Sequence, residues 1–241
     1  MLERGIIPGP VDFLQLLGAC SRNLRKLRAA GDTRGGSAQA MELLQLMEQP
    51  GVEKPDFKHY SAAINVCGKA GDWTSAVHIF EQMQLQGVHA NISCWTALLD
   101  ALGRAKKVDQ MLATYREMLA SGQEPDTVAF GTLLAHAGAA GESGIAEDIR
   151  REMQRLKIAP NTWTYCALTN CYAVTGEPEK AEAVLAEMRQ STMTKPSAIA
   201  YNRYVPSTCS CLRLLWDCLG GDVCFDCRTA WQWILQPTAK W

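Results

Sequence analysis

The sequence predicts an all-α protein, a solenoid of stacked helix-turn-helix repeats, and three observations predict it. Methionines recur at Met83, Met118, Met153 and Met188, each 35 residues beyond the last, and an aromatic keeps the same step at Tyr60, Trp95, Phe130 and Tyr165. A fixed period of about 20 to 50 residues marks a repeat architecture. Within a period, apolar residues follow the i, i+3, i+4, i+7 spacing of one helix face, as at Tyr60, Ala63, Ile64 and Cys67. Midway, Gly71 permits a left-handed stop and Asp72 supplies a side-chain oxygen to cap the next helix. A helix pair of this size cannot bury its own apolar face, so neighbouring pairs must stack and share a continuous core.

The elements follow in chain order. The opening MLERGIIPG places Met, Gly and Pro at the spacing that closes a unit at Met118, Gly122 and Pro125, so a partial repeat is expected over 1–9 and the chain reads as a piece of a longer array. An irregular repeat spans 10–56, its first helix in VDFLQLLGAC and its second in SAQAMELLQLMEQ. It carries roughly a dozen extra residues in NLRKLRAAGDTRGG. The basic run Arg22, Arg25, Lys26 and Arg28 there reads as a solvated helix extension, with phosphate contact as the alternative.

Four regular units follow at 57–91, 92–126, 127–161 and 162–197. In the first, Ala76, Ile79, Phe80 and Met83 form the buried face of the second helix, which Gly87 stops. The next unit presents Leu98, Leu99 and Leu102, then Met111, Tyr115 and Met118; the third presents Leu133, Leu134 and Ala137, then Ala146, Ile149 and Met153. The fourth has Ala167, Leu168 and Cys171, then Ala181, Val184, Leu185 and Met188, and is one residue longer. The segment 198–241 begins another unit at Tyr201 and then breaks into a Cys- and Trp-rich stretch without the period.

With 241 residues, 47% of them hydrophobic, and a net charge of -1, the composition is that of a folded chain with no bulk attraction to nucleic acid. Any RNA contact must therefore rest on a local surface. No run approaches 18 apolar residues, so no membrane span and no membrane partner is expected. Of the ten cysteines, Cys67, Cys94, Cys166 and Cys171 fall at apolar positions and read as reduced core thiols. Cys209, Cys211, Cys218, Cys224 and Cys227 offer thiolates for zinc, but their spacing matches no common zinc module. The expectation for the tail is a stretch without a fold of its own and without metal.

The 35-residue pair, with its aromatic fourth, AGD or TGE midway, EM near the end and Pro followed by Asp or Asn at the close, resembles the pentatricopeptide repeat family. Tyr60, Ala70, Gly71, Asp72, Ala76, Phe80 and Met83 carry the resemblance, with EPD at Glu124 to Asp126, APN at Ala159 to Asn161, and VTGEPEKAEAVLAEM. The 34-residue tetratricopeptide period would drift out of register by the third unit. The resemblance implies a right-handed α-solenoid whose first helices line a groove for single-stranded RNA, about one base per unit.

In that family the fifth and last residues of a unit meet one base edge and the second residue helps sandwich the base. Carried onto this chain, Ser61 with Asn91 is similar to pairs that favour adenine, and Thr96 with Asp126 to pairs that favour guanine. Gly131 with Asn161 lacks a side-chain polar group at its first position, and Cys166 with Ser197 matches no defined pair; Leu14 with Asp56 upstream is also unreadable. The sandwiching positions are Lys58, Ser93, Val128 and Trp163. The same residue types also cap helices and build turns, so that alternative stands beside base reading.

Some members of the family end in a zinc cytidine deaminase, which needs H-x-E before its C-x-x-C. None of His59, His78, His89 and His136 has Glu two residues later, so CFDC at Cys224 to Cys227 has no catalytic partner. No enzyme activity, cofactor or small-molecule substrate is expected. The resemblance implies an RNA-binding adaptor of mitochondrial or plastid transcripts, acting in processing, stability, editing or translation, with other RNA-processing proteins as further partners. The rival expectation is a protein-interaction scaffold that has lost RNA reading.

Overall fold

The structure, a computed structural model, describes residues 8–29 and 35–190. Ser197, the segment 198–241 and most of the expected remnant at 1–9 lie outside the described residues, and nothing about those expectations is tested there. Among the described residues all regular structure is helical: α1 (Pro10–Ala29), α2 (Gly35–Met47), α3 (Phe57–Ala70), α4 (Trp73–Leu85), α5 (Ile92–Arg104), α6 (Val108–Ala120), α7 (Thr127–Ala140), α8 (Ser143–Arg155), α9 (Thr162–Thr175) and α10 (Pro178–Gln190). The helices α3, α5, α7 and α9 start 35 residues apart. The extra residues upstream lengthen α1 to 20 residues rather than forming a free loop before Ala29.

Local chemistry sets these ends. Asp56 accepts from the Lys58 and His59 amides while the His59 ring faces the Asp56 amide, a reciprocal cap at the start of α3. Gly71 ends α3 with φ 85, and Asp72 starts α4 by accepting from the Ser75 amide at 3.1 Å. The other Asp72 oxygen takes the Ser37 hydroxyl at 2.8 Å, so this cap also ties α2 to α4. One unit on, Lys106 stands where Gly71 does and must adopt φ 58. Lys107, in the Asp72 position, gives no side-chain cap. Lys157, with φ 55, likewise replaces the glycine found at Gly87 and Gly122.

The odd-numbered helices pack on one another in succession from α1 to α9, and each even-numbered helix packs on the odd helices flanking it, which gives two layers with the core between them. The Met series and the aromatic series are both buried. Two of these aromatics meet a ring of the helix before them: Phe80 and Trp95 rings lie 4.6 Å apart, and Tyr115 and Phe130 rings 6.0 Å apart. Cys67, Cys94, Cys166 and Cys171 are buried, and none of them is in a disulfide among the described residues. Burial, then the nearby Asp72 charge, pushes the Cys67 thiol up to about 12, and burial with Glu177 pushes Cys171 up to about 11, so both stay protonated and pack as small hydrophobes.

A second glycine series escaped the sequence reading. Gly68, Gly103 and Gly138 recur at the same step near the C-terminal ends of α3, α5 and α7. A Cβ on Gly68 would lie 2.8 Å from Ala101 Cβ, and one on Gly138 would lie 2.9 Å from Cys171 Cβ. These glycines let successive odd helices approach closely, and their fixed period was the signal that could have found them.

Candidate nucleic-acid interface

Because the odd helices pack side by side, their N-terminal turns bring the sequence-predicted site residues onto one face. The last residue of each of the first three regular units is the N-cap of the next odd helix. Asn91 Oδ1 accepts from the Cys94 amide at 3.1 Å, Asp126 Oδ1 from Ala129 at 2.7 Å, and Asn161 Oδ1 from Thr164 at 2.9 Å. Capping therefore uses one oxygen and does not exhaust the group. The Asn91 amide NH2 and Asp126 Oδ2 have no partner among the described residues.

The fifth residues divide into two kinds. Ser61 and Thr96 are partly exposed, whereas Gly131 and Cys166 are buried. The Ser61 hydroxyl reaches the Ser93 carbonyl at 3.4 Å, which sets it beside the turn that begins with Asn91. The Thr96 hydroxyl donates to the Ile92 carbonyl at 2.7 Å. Its lone pairs are what it keeps for a ligand. At Gly131 the neighbour is the Trp163 indole, whose Cε3 and Cζ3 occupy the space a side chain at 131 would need. Of the sandwiching positions, Lys58 and Ser93 are exposed, Val128 is 51% exposed and Trp163 44%. Ser197 lies outside the described residues.

Charge on this face is unequal along the array. Beyond α1, the odd helices carry the cations Lys58, Lys69 and Arg104, and α9 carries no charged residue. Arg104 is tied to Asp100 at 2.7 Å, and Asp100 also meets His136 Nε2 at 3.0 Å across to α7. Burial would raise the Asp100 carboxyl, but hydrogen bonds from His136 and Arg104 outweigh it and hold the group below the usual aspartate range. This three-residue link between α5 and α7 was not read from the sequence, since nothing in the period marks Asp100 or His136. In the even layer, charged residues pair instead across repeats, with Arg150 against Glu187 and Lys180 against Glu147.

Comparison with known proteins adds three findings. The family model described as "Pentacotripeptide-repeat region of PRORP" matches residues 47–197, more than half of the chain. Two curated relatives from Arabidopsis thaliana are pentatricopeptide repeat-containing proteins named chloroplastic. At3g06430 is 28% identical over 159 residues, which is 66% of this chain and 33% of that protein. At5g04810 is 39% identical over 175 residues, 73% of this chain and 18% of that protein. The chain thus spans a third or less of the length of both. Among solved structures, the pentatricopeptide repeat protein PPR10 in complex with an 18-nt psaJ RNA element matches with a TM-score of 0.61 at 23% identity, covering 80% of this chain and 33% of that one.

Proposed function

The chain belongs to the pentatricopeptide repeat family, and from that premise we propose that it is a single-stranded RNA-binding adaptor that discriminates bases chiefly at two adjacent units. The observation that carries this is the state of Ser61 with Asn91 and Thr96 with Asp126. Each pair combines a partly exposed hydroxyl with a capping residue that keeps polar capacity after its cap is made. Asn91 retains NH2 donors beside an amide oxygen, which suits the acceptor and donor on the adenine edge. Asp126 retains only acceptors, which suits the N1 and N2 hydrogens of guanine. The chain holds its RNA without catalysis, shielding it or positioning a processing factor, in a plastid or mitochondrion. Support for the partner comes from PPR10, solved with an RNA element, and for the location from the relatives' names.

A filter-binding titration with random single-stranded RNA at several salt concentrations tests this. Each neutralised phosphate adds about 0.7 to the slope of log K against log salt for single strands. Cations are few on the odd helices beyond α1, and Arg104 is held by Asp100, so a shallow slope of about −1 to −2 is expected. No binding at low salt would favour a protein-interaction scaffold. That second reading draws on the third and fourth units, whose Gly131 and Cys166 are buried and whose α9 is uncharged.

A further inference from the structure

We propose that the uncharged face shared by α7 and α9 is a docking site for a later segment of this same chain, residues 212–219. The docking does not depend on RNA binding, and it gives the last two regular units an occupant other than RNA. Chemistry changes along the array at matching places. Those held by Lys58 and Lys69 on α3, and by Asp100 and Arg104 on α5, fall on Val128, Ala135 and Ala139 of α7 and on Trp163, Asn170 and Val174 of α9. Neither α7 nor α9 contains Asp, Glu, Lys or Arg. Val128 is 51% exposed, Trp163 44% and Val174 60%, and Ala139 is exposed as well, so the two helices present a largely apolar strip to water. Such a strip has no charge to offer a phosphate or a charged peptide, and it gains most from apolar cover.

Two observations name the occupant. In the sequence beyond the described residues, Leu212, Leu215, Trp216 and Leu219 recur at i, i+3, i+4 and i+7, the spacing of one helix side, and Gly220 and Gly221 close the run. Arg213 and Asp217 fall off that side, so the segment matches an uncharged face with its own apolar one. Eight residues are too few to hold a helix alone in water, and a pattern of this length is completed by docking. Trp163 and Val174 stand eleven residues apart on α9, about 16 Å, which accommodates the roughly 12 Å of an eight-residue helix. The second observation is where the chain leaves the array. The Tyr165 hydroxyl, in the first turn of α9, donates to Glu187 Oε1 near the end of α10 at 3.3 Å, so the chain emerges beside the Trp163 end of the strip. The 21 residues between Gln190 and Leu212 reach up to about 70 Å, well beyond the length of α9. A tether of this kind supplies an effective concentration on the order of millimolar, so a weak contact suffices.

The test is hydrogen–deuterium exchange of the full chain with a thiol reductant present, read by mass spectrometry. Amides of 214–219 are expected to exchange at least about tenfold more slowly than those of 226–232, and equally slowly after about tenfold dilution of the protein. Ala139→Lys with Val174→Lys puts on α7 and α9 the residue that α3 has at the same place, at exposed positions near helix C-termini where a cation is favourable. The pair should bring 214–219 to the rate of 226–232 and leave the exchange of α8 and α10 unchanged. Leu215→Asp, made in the segment and not in the array, should release it equally. Equal exchange of the two stretches in the wild type would overturn the proposal and leave the strip open to RNA or another protein. Protection that survives the lysine pair would overturn it by placing the segment elsewhere, and protection lost on dilution would overturn it in favour of the tail of a second copy.

Discussion

Thr96 spends its hydroxyl proton on the Ile92 carbonyl, so with Asp126 it presents a pair of acceptors, the complement of a base edge rich in N–H. Replacing Thr96 by Asn while keeping Asp126 makes the pair that the family favours for uracil. In a competition between RNAs differing at that position, preference is expected to move from guanine to uracil by about 1 to 3 kcal/mol; an equal loss for every RNA would mean that Thr96 only supports its helix. Asp72 gives a second expectation. Partial burial alone would raise its carboxyl, but hydrogen bonds from Thr74, Ser37 and Ser75 hold it below the usual 3.8. Its stabilisation is therefore complete above the unfolded value and lost as pH falls below about 4 toward the folded value. Asp72→Ala should cost about 1 to 2 kcal/mol at neutral pH, and its thermal midpoint should fall less than that of the wild type between pH 5 and pH 3. The places of Ser61 and Thr96 early in their helices, and of Asn91 and Asp126 at the starts of the next ones, were legible because the period assigns them. The cover over Gly131 was not, because it depends on the packing of an indole from the next repeat.

The helices themselves were nearly all legible, since the two periodicities, 35 residues between units and i, i+3, i+4 within them, are independent and agree. The apolar positions read from the regular units, from Tyr60 to Met188, are buried. What periodicity cannot report is backbone strain or the closeness of two helices. Lys106 holds φ 58 at an exposed stop that other units give to glycine. Lys106→Gly is expected to raise stability by about 1 kcal/mol, the left-handed penalty less the entropy of glycine. Gly138→Ala should act in the opposite direction: Ala is the better helix former, but its Cβ would stand 3.1 Å from the Cys171 backbone and force α7 from α9. A loss of about 1 to 3 kcal/mol is expected by chemical denaturation, and a gain would show that the two helices are less tightly held.

At the scale of the whole molecule, each helix pair contacts mainly its neighbours, so stability is a sum of local and nearest-neighbour interactions. A fragment of residues 57–197 should give a helical circular dichroism spectrum and unfold with the low cooperativity of a short array; a strand-dominated spectrum would end the solenoid account. The same linear order gives function its form. On the function proposed above, discrimination is expected to concentrate where hydroxyls and spare capping groups coincide, in the first two regular units, and to fade toward α9, where the helix is uncharged and the fifth residue is buried. The most direct test is selection of bound sequences from a fully randomised single-stranded RNA pool at one fixed salt concentration, read position by position. Two adjacent constrained positions, one adenine and one guanine, beside a position occupied by any base, are expected. A pool recovered with no preference at any position, or no recovery above the unbound background, would contradict the account.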